Sequence, residues 1–155
     1  MQIPILGFGT YRLKGEVAYN SVLTALKLGY RHIDTANLYK NEDQVGKAIK
    51  DSNINREEIW ITTKVQVKDT KSKDMIRNSI ENSLKQLDTD YLDLVLFHGP
   101  TDNIKEDWLN FEQIYYELKD KIRYIGVSKA FPHHLNSFDN VPINYGEIGR
   151  ASCRE

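Results

Sequence analysis

Cysteine is all but missing from this 155-residue chain: the single one, Cys153, has no second thiol to pair with. That excludes an internal disulfide framework, and a reducing, cytoplasmic compartment is expected. Long apolar runs are missing too. No stretch approaches the ~20 residues a membrane-spanning helix needs, so no membrane association is expected. The opening MQIPILGFGT lacks a basic region followed by an apolar core and cleavage site, so no secretory leader is expected. There is no excess of either charge, with 21 Lys and Arg against 22 Asp and Glu. This balance leaves no electrostatic footprint for nucleic acid. Histidine and cysteine form no cluster at metal-ligand spacing, and no metal is expected. A GxGxxG fingerprint is absent as well, since GFGTYR has another spacing and opens no helix directly.

What is present is an alternation of strand and helix. Ile3 to Leu6 is a short apolar run that reads as the first strand. Glu16 to Leu28 follows with Ala18, Val22, Ala25 and Leu26 on one helical face, and Gly29 stands where a helix-ending glycine belongs. Arg31 to Asp34 reads as a strand and Glu42 to Ser52 as a helix with Val45, Ala48 and Ile49 inward. The run Glu58 to Thr63 has the β-branched and aromatic composition of a strand. Ser72 to Leu87 aligns Ile76, Ile80, Ser83, Leu84 and Leu87 as a helix, and Tyr91 to Phe97 is the near-continuous apolar run of a buried parallel strand. Ile104 to Leu118 is a fourth helix, Ile122 to Val127 a fifth strand, Pro132 to Phe138 a short helix and Val141 to Asn144 the start of a sixth strand. No hairpin signal interrupts the series, so the architecture is parallel α/β. Periodicity alone leaves open a doubly wound sheet or a closed barrel.

The polar residues at the strand ends separate the two. Asp34, Lys64, His98 and Ser128 are each the first group capable of chemistry after an apolar run, and Tyr39 lies in the loop following Asp34. In a (β/α)8 barrel such ends converge on one face, whereas in an open sheet they spread along an edge. A tyrosine is a poor proton donor at neutral pH, and an adjacent ammonium favours its phenolate and so its use in acid–base work. A carboxylate beside the lysine holds that ammonium in place, and a histidine can orient a substrate oxygen. Taken singly, each residue has a plainer reading: Asp34 as a helix cap, Tyr39 as a packed aromatic, His98 as a core histidine.

The motifs resemble those of the aldo-keto reductase superfamily, in the family's order and over nearly the whole chain. They are GFGTYRL (Gly7 to Leu13), GYRHIDTANLYKNEDQVGKAI (Gly29 to Ile49), ITTK (Ile61 to Lys64), SLKQLDTDYLDLVLFHGP (Ser83 to Pro100) and YIGVS (Tyr124 to Ser128). The resemblance implies an α/β (β/α)8 TIM barrel and a catalytic tetrad of Asp34, Tyr39, Lys64 and His98. It implies hydride transfer from a reduced nicotinamide to an aldehyde or ketone, with NADP the family's usual cofactor and NAD an alternative, and with Tyr39 as general acid. Thr10, Tyr11, Asp34 and Ser128 would contact the cofactor. At two cofactor-facing positions the chain departs from the family pattern, with Lys129 in place of the usual Asn and Tyr145 in place of the usual Gln; Tyr145 could stack on the nicotinamide instead.

The same resemblance implies that residues 1–146 are the N-terminal part of a barrel truncated after five to six strands. The last nine residues, EIGRASCRE (147–155), read like the translation of an adapter oligonucleotide and are expected to be a non-native tail. By the same resemblance, the loops that grip the cofactor's pyrophosphate and shape substrate choice are expected to lie beyond residue 146. The expected partner is a small carbonyl substrate, and the full-length protein is expected to be a monomer. The alternatives are a non-catalytic nicotinamide-binding regulatory relative, an inactive gene fragment, or a lyase using Lys64 as a Schiff-base amine.

Overall fold

The computed structural model describes residues 2–66, 68, 70–101 and 103–130. Five strands and four helices alternate: β1 (Phe8–Gly9), α1 (Gly15–Lys27), β2 (His32–Asp34), α2 (Glu42–Asp51), β3 (Trp60–Val65), α3 (Lys73–Gln86), β4 (Leu92–Phe97), α4 (Ile104–Glu117) and β5 (Ile122–Val127). All pairings are parallel and the sheet order is β1-β2-β3-β4-β5. Each strand therefore lies beside its predecessor. A doubly wound sheet must reverse direction part-way through the order, whereas a barrel adds strands in sequence. The order is that of the barrel.

Successive strand residues face opposite sides of the sheet. Ile33, Ile61, Val95 and Phe97 point to the helices and join Val22, Leu26, Val45, Ile76, Ile80, Trp108 and Phe111 in the main core. The opposite face carries a smaller apolar group, Trp60, Leu94 and Leu96 with Tyr124 against it, and the Trp60 and Tyr124 rings stack 5.4 Å apart. The helices bury the faces that their periodicity predicts, with Ala18, Val22, Ala25 and Leu26 inward on α1. Gly29, with φ +95°, ends that helix. The amide of Tyr30 donates to the Ala25 carbonyl and that of Gly29 to Leu26, the paired bonds of a left-handed glycine stop.

Two strands lie two or more residues from where the sequence reading puts them. The first strand is Phe8–Gly9 and not Ile3 to Leu6; Ile5 and Leu6 are exposed. Strand pairing decides this: Phe8 and Gly9 have Ile33 and Asp34 as register partners, and Ile3 to Leu6 have none. The third strand runs over Trp60–Val65, two residues later than the expected Glu58 to Thr63, because Arg56–Glu58 turns as a short 3-10 segment. Lys64 consequently sits inside the strand and not just past it. The expected short helix at Pro132 to Phe138, the sixth strand, Tyr145 and the 147–155 tail lie outside the described residues.

Candidate active site at the carboxyl ends of the strands

The strand ladder itself sets the height of the polar residues. One rung beyond the regular strands, the amide of Thr10 donates to Asp34 O, Thr35 to Thr62 O, His98 to Val65 O and Ser128 to Phe97 O, at 2.8–2.9 Å. Thr10, Thr35, His98 and Ser128 are thus held at one end of the sheet by the same regularity that pairs the strands. Sheet register places Gly9, Asp34 and Thr62 side by side, with Lys64 opposite Leu96.

Lys64 is the centre of the group, a lysine only 1% exposed. Burying an ammonium is costly unless it is paired and hydrogen-bonded. All three of its protons have acceptors: the Asp34 carboxylate, the Thr35 carbonyl at 2.9 Å and the Tyr39 hydroxyl at 3.4 Å. Tyr39 reaches this position because the segment after β2 turns immediately into a 3-10 loop, Asn37–Tyr39, closed by Lys40 in the left-handed conformation. The Tyr39 ring then lies between Tyr11, with centroids 5.2 Å apart, and His98, 5.5 Å away and edge-on.

His98 is half-buried, and its Nδ1 has no hydrogen-bond partner among the described residues. Burial pushes its pKa down from 6.5 to about 4, helped by the positive charges of Lys64 and Lys129 and opposed by Asp34. The imidazole is therefore neutral at physiological pH. Deeper in the same face, His32 pairs with the Thr62 hydroxyl at 2.9 Å, and desolvation lowers its pKa as well.

The structure thus brings Asp34, Tyr39, Lys64 and His98 together at one end of the sheet, as the sequence order anticipates. Thr10 is buried with its hydroxyl 3.2 Å from Asp34 O, Tyr11 is half exposed against Tyr39, and Ser128 and Lys129 end β5 on the His98 side. Tyr145 lies outside the described residues. Sequence reasoning missed Thr35, Asn41 and Glu42. Asn41 is fully buried and binds Thr10 O, Leu13 O and the Thr35 hydroxyl. Glu42 accepts from the Thr63 and Ser83 hydroxyls, and burial raises its pKa. The available signal was an Asn-Glu pair at the very start of a helix, which reads as capping. Among the described residues, no group of three or more His, Cys, Asp or Glu could hold a metal, and no helix is long and apolar enough to cross a membrane.

Three comparisons bear on this site. The model of the aldo/keto reductase family matches residues 5–143. Methylglyoxal reductase DkgB of Escherichia coli O157:H7 is 47% identical over 130 residues, which is 83% of this chain and 48% of that protein. The glycerol 2-dehydrogenase (NADP(+)) of Saccharomyces cerevisiae is 54% identical over 99 residues, 64% of this chain and 31% of its own length. Among solved structures, the aldo-keto reductase MGS-M4 from a Medee basin deep-sea metagenome library superposes with a TM-score of 0.84 at 43% identity, covering 92% of this chain and 53% of that one. The chain spans about half the length of the relatives that it matches most extensively.

Proposed function

The chain belongs to the aldo/keto reductase family, and from that premise we propose that it carries the proton-donating half of a carbonyl reductase that uses NADPH on small aldehydes and ketones. The observation that carries this reading is the buried Lys64 ammonium shared between the Asp34 carboxylate and the Tyr39 hydroxyl. The Asp34 carboxylate offsets the cost of burying this ammonium, and the same ammonium, within reach of the Tyr39 hydroxyl, would stabilise the phenolate left by a proton-donating tyrosine.

The strand-end residues fit a nicotinamide. Gly9 lies beside Asp34 in the register, and a side chain there would meet none of the described residues within 4 Å. Thr10, Tyr11, Ser128 and Lys129 border that end of the sheet and would hold the group, with Tyr145 as a further candidate. When bound, the reduced nicotinamide supplies the hydride that adds to the carbonyl carbon. Tyr39 gives its hydroxyl proton to the carbonyl oxygen. Lys64, aimed by Asp34 and by the Thr35 carbonyl, stabilises the phenolate that remains. A proton on the unpartnered Nδ1 of His98 would leave a buried donor unsatisfied, so the proton is assigned to Nε2, which can donate to the same carbonyl oxygen. The names of the two relatives favour a small polar carbonyl compound, of which methylglyoxal is the natural test substrate, and NADP as cofactor.

A full-length barrel containing this chain is expected to oxidise NADPH when methylglyoxal is added. Tyr39→Phe should lower kcat by roughly 100- to 10,000-fold, the range of acid–base catalysis, while NADPH binding persists. Undiminished turnover by Tyr39→Phe would remove the tyrosine from the reaction, and NADPH binding without turnover of any aldehyde would favour a non-catalytic binding relative.

A further inference from the structure

Asn41 occupies the residue before α2, where an asparagine ordinarily turns its side-chain oxygen onto an exposed amide of the first helical turn. It makes no such bond. Its side chain, with the residue fully buried, points away from its own helix and uses all of its principal bonding capacity elsewhere. Nδ2 donates to the carbonyls of Thr10 and Leu13, both at 2.9 Å, and Oδ1 accepts from the Thr35 hydroxyl at 3.0 Å. The two carbonyls belong to the loop after β1, which carries Tyr11. Thr35 belongs to the segment after β2, and its own carbonyl holds the Lys64 ammonium. Two loops from different strands are joined through this one amide, and Tyr39 packs between them against Tyr11.

We infer that Asn41 is a positioning residue: its amide clamps the Thr10–Leu13 loop to the Thr35 segment and so fixes Tyr39 and Lys64 relative to each other. The inference deepens the proposed reductase reading and rests on it. Asn41 touches no reacting atom; it acts through the Thr35 backbone, which aims Lys64, and through Tyr11, which bounds the Tyr39 ring. Glu42, the next residue, braces the other side by accepting from Thr63 and Ser83, so the start of α2 is tied into four neighbouring segments. A helix cap lost from an exposed end would cost stability alone. A displaced acid–lysine pair would cost turnover, because a misplacement of about 1 Å can lower a rate on the order of 100-fold.

The test is a kinetic cycle in a full-length barrel containing this chain, with NADPH and methylglyoxal as the probes. Asn41→Ala is expected to lower kcat about 10- to 100-fold with the carbonyl KM within about threefold, rates being normalised to folded protein. In the Tyr39→Phe background the same substitution should cost almost nothing further, since the group it positions has gone. If Asn41→Ala does not fold, Thr35→Val removes the hydroxyl bond while keeping both Asn41 donors in place, and it should show the same kcat-selective loss at smaller size. Unchanged kcat in folded Asn41→Ala or Thr35→Val, or full additivity with Tyr39→Phe, overturns the inference. Failure of the underlying reading looks different: Tyr39→Phe alone would then retain full turnover.

Discussion

At the scale of single residues, His98 makes the sharpest statement about pH. Its imidazole stays neutral in the folded chain down to about pH 4, whereas in the unfolded chain it ionises near 6.5. Between those values the unfolded chain binds more protons, so the stabilisation linked to His98 is complete above pH 6.5 and is lost as the pH falls toward 4. Ring-resonance NMR should show one histidine titrating near 4, and His98→Gln should flatten the pH dependence of unfolding in that window. A His98 that titrates near 6.5 would contradict the environment described. The same residue was legible in the sequence because a polar group directly after an apolar strand is costly to bury without a partner or a task, and Asp34 was legible for that reason too. Asn41 was not. Local rules make a pre-helical asparagine a cap, and only the approach of the β1 loop, some thirty residues earlier in sequence, diverts its amide.

At the scale of elements, the α2–α3 contact depends on one missing methyl group. Gly46 faces Leu87 so closely that a Cβ there would stand 2.5 Å from the Leu87 carbonyl oxygen and 2.8 Å from its Cα. Both neighbours are backbone and cannot rotate away. Alanine favours helix by about 1 kcal/mol over glycine, but overpacking of this kind costs about 1–3 kcal/mol, and the clash should win. Gly46→Ala is expected to lower the denaturation midpoint, while Lys47→Ala one residue on should not; a stabilised Gly46→Ala would show that the helices can slide apart freely. The helices themselves were readable from periodicity, which reports the face an isolated segment must bury. Strand limits were less so. Ile3 to Leu6 is apolar enough to be a strand, yet Phe8–Gly9 takes that role, because a strand is defined by the partner beside it and composition does not name the partner.

At the scale of the whole molecule, the sheet pairs β1 and β5 on one side only among the described residues. Exposed strand edges recruit further strands, and Ile5 and Leu6 add exposed apolar surface near the β1 edge. The 155-residue chain expressed by itself is therefore expected to associate with rising concentration and to show no carbonyl-dependent NADPH oxidation. Sedimentation velocity and an activity assay check both, and a soluble, active monomer would overturn the expectation. The barrel reading from sequence held at this scale because the order of polar strand ends reflects connectivity, which survives in a linear chain.

The unbroken strand order has a further consequence, for synthesis on the ribosome. Among the described residues every pairing joins strands adjacent in sequence, so each new strand and helix can settle on the one before it while the rest of the chain is still being made. No strand from β2 to β4 has to wait for a distant partner. Translation that halts midway would leave behind an ordered sheet with a live growing edge, and it is on that edge, more than on the buried core, that a chaperone would need to act.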